Sequence, residues 1–276
     1  MIIKHAQAEQ ETRALERAYI KKVEKAYQAS LDEIERKLER YYSKFGVEGS
    51  LTQESMAKMT TYHKRRVTRL ESMRLTIGDE LNSLNRGKPQ QMRSFLTDVY
   101  NTNFLLTAKN IDTFTNMNTS FSLPSRQVIY NSTIRPMTKI ALEDNSRAIK
   151  MAIRRDLTRG VVQGSSIQET AKNIEKSLKD NANSAIQIAR TETTGIKGMA
   201  RVDVQAEARD KYGIELKKVW SASPWGNTRE SHANLDGTAI EVEEVFSNGL
   251  MYPGDQNGEA SEVVNCRCTL YTEIID

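Results

Sequence analysis

Three side chains toward the C-terminal end of this 276-residue chain have the chemistry to bind a soft metal: His232, Cys266 and Cys268. Imidazole nitrogen and thiolate sulfur are the usual protein ligands of zinc, and three of them with an acid or water complete a tetrahedron. Cys266 and Cys268 are the only two cysteines, one residue apart, a spacing that closes a loop too tight for an easy disulfide. The C-x-C spacing is also short for a zinc ribbon, but it suits ligands that converge from a strand and a helix. Asp236 and Asp255 are the acids considered for the fourth position. A second reading is a reduced cysteine pair packed in a small core, with His232 hydrogen-bonded to a turn. On a strand, residues 266 and 268 share a face, which fits both readings.

Arg190 and Glu192 are the next pair of interest. Two residues apart on a helix, they do not face one another. The expectation is that each reaches the C-terminal domain, Arg190 to a carboxylate or carbonyl and Glu192 to backbone N–H groups or Arg229. A catalytic Arg/Glu role, as in an ADP-ribosyltransferase, would need a nucleotide pocket and supporting strands that the sequence does not trace. Trp220 ends an alternating run and reads as core. Trp225, between Pro224 and Gly226, reads either as a loop contact for a partner subunit or as part of the small core. No phosphate loop, dinucleotide-binding glycine pattern, Ser/His/Asp series or H-E-x-x-H occurs. His5 and His63 fall on helices expected to be wet. No catalytic or cofactor-binding residue is therefore expected, although an enzyme domain built around His232 and the two cysteines is the alternative.

These residues need a scaffold, and the bulk of the sequence reads as helix. A hydrophobic fraction of 38% with 28% charge is polar for one compact globule and suits long, partly exposed helices. Leu31, Ile34, Leu38, Tyr41 and Phe45 form a three-and-four-residue stripe within a helix from about Ala8 to Phe45. Gly46 and Gly49 break it. A second helix is expected from Thr52 to about Leu84, and Pro89 suits the first turn of a third, carrying Met92, Phe95, Leu96, Val99 and Tyr100. Asn110 to about Ser125, rich in Asn, Thr and Ser, reads as a loop. Helix resumes over Thr138–Arg159, interrupted by Gly160 and Gly164. Ser166-x-x-Glu169 is a capping box ahead of Ile167, Ala171, Ile174 and Leu178. A separate helix is expected from Asn183 to Tyr212, ended by Gly213.

After Gly213 the pattern turns to β. Ile214–Trp220 alternates, Asp236-Gly237 is a hairpin-type turn, and Thr238–Val242 and part of Val263–Ile275 are strand-prone. A short helix is expected near Thr228–Ala233. The fold class is thus mainly α with a small C-terminal α+β domain: long helices in an N-terminal body and a short antiparallel sheet near the C-terminus. The expected divisions are an extended helical region over 1–125, a helical region over 126–213 and the small α+β domain over 214–276.

Charge is uneven. Residues 1–200 carry a net +11 and residues 201–276 a net −7. Such asymmetry marks either a nucleic-acid-facing part or a set of solvated helix faces. The basic residues are spread out, with Lys64–Arg66 the densest group, and lack interleaved aromatics. The N-terminus has no apolar signal-peptide core, and no run of about 18 apolar residues suggests a membrane span.

From Ala189 onward the chain resembles a known family. It contains ARTE (Ala189–Glu192), KKVWSASPWGNTRESHANLDG (Lys217–Gly237), Phe246, YPGD (Tyr252–Asp255) and VVNCRCTL (Val263–Leu270). In order and spacing these resemble the phage head-morphogenesis family that includes the Mu protein F-like minor head proteins. There an Arg-Thr-Glu closes a helix pair, and a Trp-bearing strand leads to Arg-x-x-His and Leu-x-Gly. A Pro-Gly-Asp loop then precedes Asn-Cys-Arg-Cys. The resemblance covers about the last third of the chain and gives Arg190, Glu192, Trp220, Arg229, His232, Gly237, Pro253, Asp255, Asn265, Cys266 and Cys268 structural roles. Asn227 departs from the pattern, standing where relatives carry an acid. The resemblance implies a few-copy virion protein of the head, made in the host cytoplasm and associated with the portal vertex. It would act in procapsid assembly or DNA delivery. Its partners would be the portal protein and the major capsid or scaffolding protein, with non-specific DNA contact through the basic N-terminal part. No cofactor is implied beyond the zinc that His232, Cys266 and Cys268 could hold.

Overall fold

The computed structural model describes residues 1–45, 75–125, 128–129, 136–163, 165–224, 226–255 and 257–275. Most of the helix expected from Thr52, His63, the Lys64–Arg66 group and Trp225 lie outside the described residues. Mainly helical architecture with a small antiparallel sheet is what the structure shows. In chain order the elements are β1 (Ile2–Ile3), α1 (Ala6–Phe45), a helical stretch over 75–85, α2 (Lys88–Thr115), α3 (Pro136–Gln163) and α4 (Ile167–Tyr212). Then follow β2 (Leu216–Ser221), α5 (Glu230–Ala233), β3 (Ala239–Glu241), α6 (Ala260–Val263) and β4 (Thr269–Ile274). No described helix is long and apolar enough to cross a membrane.

The chain forms two compact units. One comprises Lys21–Pro89 and Lys139–Ile186, and its core is an aliphatic stripe. Leu31, Ile34 and Leu38 of α1 pack with Ile77, Leu81 and Leu84, Ile149, Ile153 and Leu157 of α3, and Ile174 and Leu178 of α4. These are the three-and-four-residue positions that a 3.6-residue period puts on one face. At the α3–α4 corner the Ser166 hydroxyl accepts from the Glu169 N–H at 3.2 Å, as a helix cap should. Gly160 does not interrupt its helix, as had been expected. A Cβ there would meet the Thr170 side chain at 2.6 Å, so the glycine allows the end of α3 to approach the start of α4.

A second expectation is also corrected in this unit. The two helices expected over residues 166–212 are one 46-residue helix. The polar run around Asn181 does not end it, because Asn181 is buried and satisfied. Its Nδ2 donates to Asn145 Oδ1 and O at 2.6 and 2.7 Å, and its Oδ1 accepts from the Tyr27 hydroxyl at 2.5 Å.

The other unit gathers Met1–Ile20, Gln90–Thr138 and Gln187–Asp276. Its four strands lie in the order β1-β4-β2-β3, every pair antiparallel. The central pair, β2 and β4, is in register from Leu216↔Ile274 to Ser221↔Thr269. Helix α4 ends as Gly213 predicts: Gly213 has φ +65° and its N–H donates to Arg209 O, while the Ile214 N–H donates to Ala208 O. Helix α2 runs to Thr115, past the loop start expected at Asn110. Ile111, fully buried, prolongs its apolar face, and Thr113 and Thr115 turn their hydroxyls back onto carbonyls one turn earlier.

Candidate functional site

The sheet unit holds two buried polar centres. The first is formed by the residues singled out for metal chemistry. His232 sits on the short helix α5, while Cys266 and Cys268 lie in the segment leading into β4 rather than within the strand. All three are buried. The His232 Nδ1 is 3.5 Å from Cys266 Sγ and 3.4 Å from Cys268 Sγ, and the three candidate ligand atoms lie within 4.8 Å of one another. On the other side of the ring, Nε2 is 2.8 Å from Glu262 Oε2. A carboxylate accepts hydrogen bonds, which places the ring hydrogen on Nε2 and leaves the Nδ1 lone pair facing the sulfurs. Glu262 also accepts from the Ser231 hydroxyl at 3.0 Å, and Trp220 packs edge-on against the imidazole with centroids 5.1 Å apart.

The thiols interact strongly. Its hydrogen bond with Cys266 brings the Cys268 thiol down to about 5 against the opposing effect of burial. Cys266 is pushed up, first by that same hydrogen bond with Cys268 and then by burial.

Neither aspartate considered as a fourth ligand joins the group. Asp236 Oδ1 accepts from the Ala222 N–H at 2.8 Å, and the buried Asp255 accepts from the N–H groups of Met251 and Asn257 at 2.9 and 3.1 Å. Both are spent on holding turns. The Asp255 loop seats on α4: a Cβ on Gly254 would meet the Gly195 backbone N at 2.7 Å, and one on Gly198 would meet the Tyr252 ring at 2.7 Å. Pro253, buried, lies in the same loop, Gly237 takes φ +77° in the turn before β3, and Asn265 takes φ +60° just before Cys266. Arg229 donates to Val264 O at 2.6 Å, tying α5 to the segment that carries the cysteines.

The second centre was not read from the sequence. Glu9 of α1 faces Lys197 and Arg201 of α4 at 3.0 and 2.9 Å. Arg201, fully buried, also donates to Asn103 Oδ1 on α2 and to Thr269 Oγ1 and Leu270 O of β4. Burial alone would push the Glu9 carboxyl up, but Lys197 and Arg201 outweigh it and hold it well below the usual carboxylate range. His5, expected on a wet helix, is buried instead. Its Nε2 meets Thr272 Oγ1 at 2.9 Å and its Nδ1 meets Asn110 at 3.1 Å. Burial first, then nearby Arg201, lowers its pKa to about 3. Arg190 does find a carboxylate, but it is Glu16 on α1 at 3.4 Å, and Glu16 also takes Arg267 at 3.1 Å. Glu192 is buried on α4. The signal available beforehand was the run of small and charged residues from Thr193 to Arg201, which a helix face keeps only where other backbone packs closely.

Residues 151–271 match the family model described as Phage Mu protein F like protein. Over 257 residues the chain is 24% identical to "Minor head protein GP7" of Bacillus phage SPP1, covering 91% of this chain and 80% of that protein. It is 28% identical over 220 residues to "NAD(+)--arginine ADP-ribosyltransferase EFV" of Enterococcus faecalis, and 36% identical over 121 residues to "Uncharacterized protein YqbB" of Bacillus subtilis. These matches cover 76% and 41% of this chain but only 45% and 38% of those two proteins. No solved structure matches. The matched segment contains both cysteines, His232, the Asp255 loop and all of α4. Residues 151–271 are thus similar to the Phage Mu protein F like proteins, and similarity to a minor head protein extends over most of the chain.

Proposed function

We propose that the chain is a minor structural protein of a tailed-phage head, associated with the portal vertex and acting in procapsid assembly or genome delivery. The observation that carries this reading is the similarity to the SPP1 minor head protein, which extends over the helical N-terminal residues as well as the family domain. The geometry is in keeping with it. The polar side chains around Arg201 fasten α1, α2, α4 and β4 to one another. The protein belongs in the virion head after assembly in the host cytoplasm. Its first partner is the portal protein, with major capsid or scaffolding protein as further ones. It acts without turnover, and the arginine-modifying activity named for its E. faecalis relative is not carried over, because the chain spans 45% of that protein.

Deleting its gene from the phage that encodes it should lower the yield of DNA-filled heads, with rescue by the gene in trans. Affinity-tagged chain should retain the portal protein from infected cells. Normal head yield on deletion, or NAD+ consumption by the purified chain, would count against the reading.

Non-specific DNA contact is a second reading, favoured by one observation. A cleft of about 610 Å³ is lined by Arg13, Arg17, Arg190, Lys197 and Arg267 against Glu9 and Glu16. DNA affinity of the purified chain should fall steeply with salt through counterion release. Arg13→Ala with Arg17→Ala should flatten that slope, and an unchanged slope would remove this cleft from consideration.

A further inference from the structure

We propose that His232, Cys266 and Cys268 bind a zinc ion through Nδ1 and the two Sγ atoms, with water in the fourth position. The inference does not depend on the head-protein reading. With zinc about 2.3 Å from sulfur and about 2.0–2.1 Å from nitrogen, a tetrahedral angle sets each S···N edge at about 3.6 Å. The two observed edges are 3.5 and 3.4 Å. Both S···N edges are therefore within a tenth or two of an ångström of that value, and all three ligand atoms lie within 4.8 Å of one another.

Hydrogen bonding within the chain does not use this arrangement well. With its hydrogen on Nε2, the imidazole offers one lone pair at Nδ1, yet two sulfurs close on it. Only one S–H can donate to that lone pair. A dication accepts electron pairs from all three atoms at once. The surroundings are those a metal-bound imidazole and thiolate require. Glu262 grips the far nitrogen of the ring, the carboxylate–histidine–metal relay that fixes ring orientation and raises basicity. Among the described residues no further His, Cys, Asp or Glu joins the three, which leaves the fourth position to solvent. Two soft thiolates and one imidazole favour zinc over magnesium or calcium, which take oxygen ligands. Bound there, the ion fastens α5 to the segment leading into β4.

The test is metal content of the full-length chain purified without chelator, together with replacement of the bound ion by cobalt(II). One zinc per chain is expected, with a thiolate-to-cobalt charge-transfer band after exchange. Cys266→Ser combined with Cys268→Ser should abolish both. Because that variant can fail for lack of folding, Glu262→Gln provides a second check. It keeps all three ligands and should weaken zinc binding by roughly 10–100-fold while the charge-transfer band persists at saturating cobalt. Substoichiometric metal after growth in zinc-supplemented medium, with no charge-transfer band on adding cobalt to the folded chain, would overturn the proposal.

Discussion

The two buried polar centres of the sheet unit are built on opposite principles. Around Arg201, the chain supplies both signs of charge: Glu9 faces Lys197 and Arg201, and neutral oxygens from Asn103, Thr269 and Leu270 take the remaining guanidinium donors at Nη1 and Nη2. Around His232, two thiols converge on one edge of the imidazole ring. An ionic fastener can be assembled from side chains alone. The thiol–imidazole cluster, on the zinc proposal, would be completed by an ion from outside. Both centres serve the same mechanical end, since each ties the segment around β4 to helices far away in sequence.

The comparison can be broken first at the ionic centre, where the largest effect is expected. Arg201→Met leaves Glu9 with Lys197 and Thr269 and removes the guanidinium from Asn103, Thr269 and Leu270, and should destabilise by about 3–5 kcal/mol in urea unfolding. A loss below about 1 kcal/mol would mean that this network is not what holds the helices to β4. Acid comes next. His5 is neutral in the folded chain down to about pH 3, while in the unfolded chain it takes a proton from about pH 6.5. The unfolded state then binds more protons, so stability falls as pH drops through that window, by at most about 1.4 kcal/mol per pH unit. Glu9 adds to the loss once pH falls below the ordinary carboxylate range, because its depressed pKa makes its contribution present only above that range. His5→Asn, which tolerates the positive φ at that position, should flatten the slope between pH 6.5 and 4.5. A variant with the wild-type slope would point to another group.

Smaller effects sharpen the picture around the loop and the second unit. Gly254→Ala forces a Cβ against the Gly195 backbone at a positive φ and should cost about 1–3 kcal/mol, read as a lower Tm. Ser166→Ala removes only a helix cap in the aliphatic unit and should cost about 1 kcal/mol. If the cap proved costlier than the loop glycine, the sheet unit would be less tightly determined than its contacts suggest.

Much of the scaffold was legible because its signals are local. The stripe from Leu31 to Leu38, the cap at Ser166, the stop at Gly213 and the alternation of β2 each act over a few residues. His232, Cys266 and Cys268 could be picked by residue type, and the fold brings them together. What escaped depended on contacts made across the sequence. Residues around Asn181 look like a break until Tyr27 and Asn145 satisfy that side chain. His5 looks like a wet residue until Thr272 and Asn110 enclose it. Pairing of Ile2–Ile3 with Thr272 and Glu273 has no local signature at all. Asp236 and Asp255 are chemically suitable ligands, but turn geometry claims them first.

The central proposal is that this chain is a component of the phage head. Quantitative mass spectrometry of purified heads, with the portal protein as internal standard, tests it most directly. The account predicts a fixed, small ratio of this chain to portal protein in procapsids, retained or lost as a unit in mature particles. Absence from both, with the protein abundant in the soluble lysate, would contradict it.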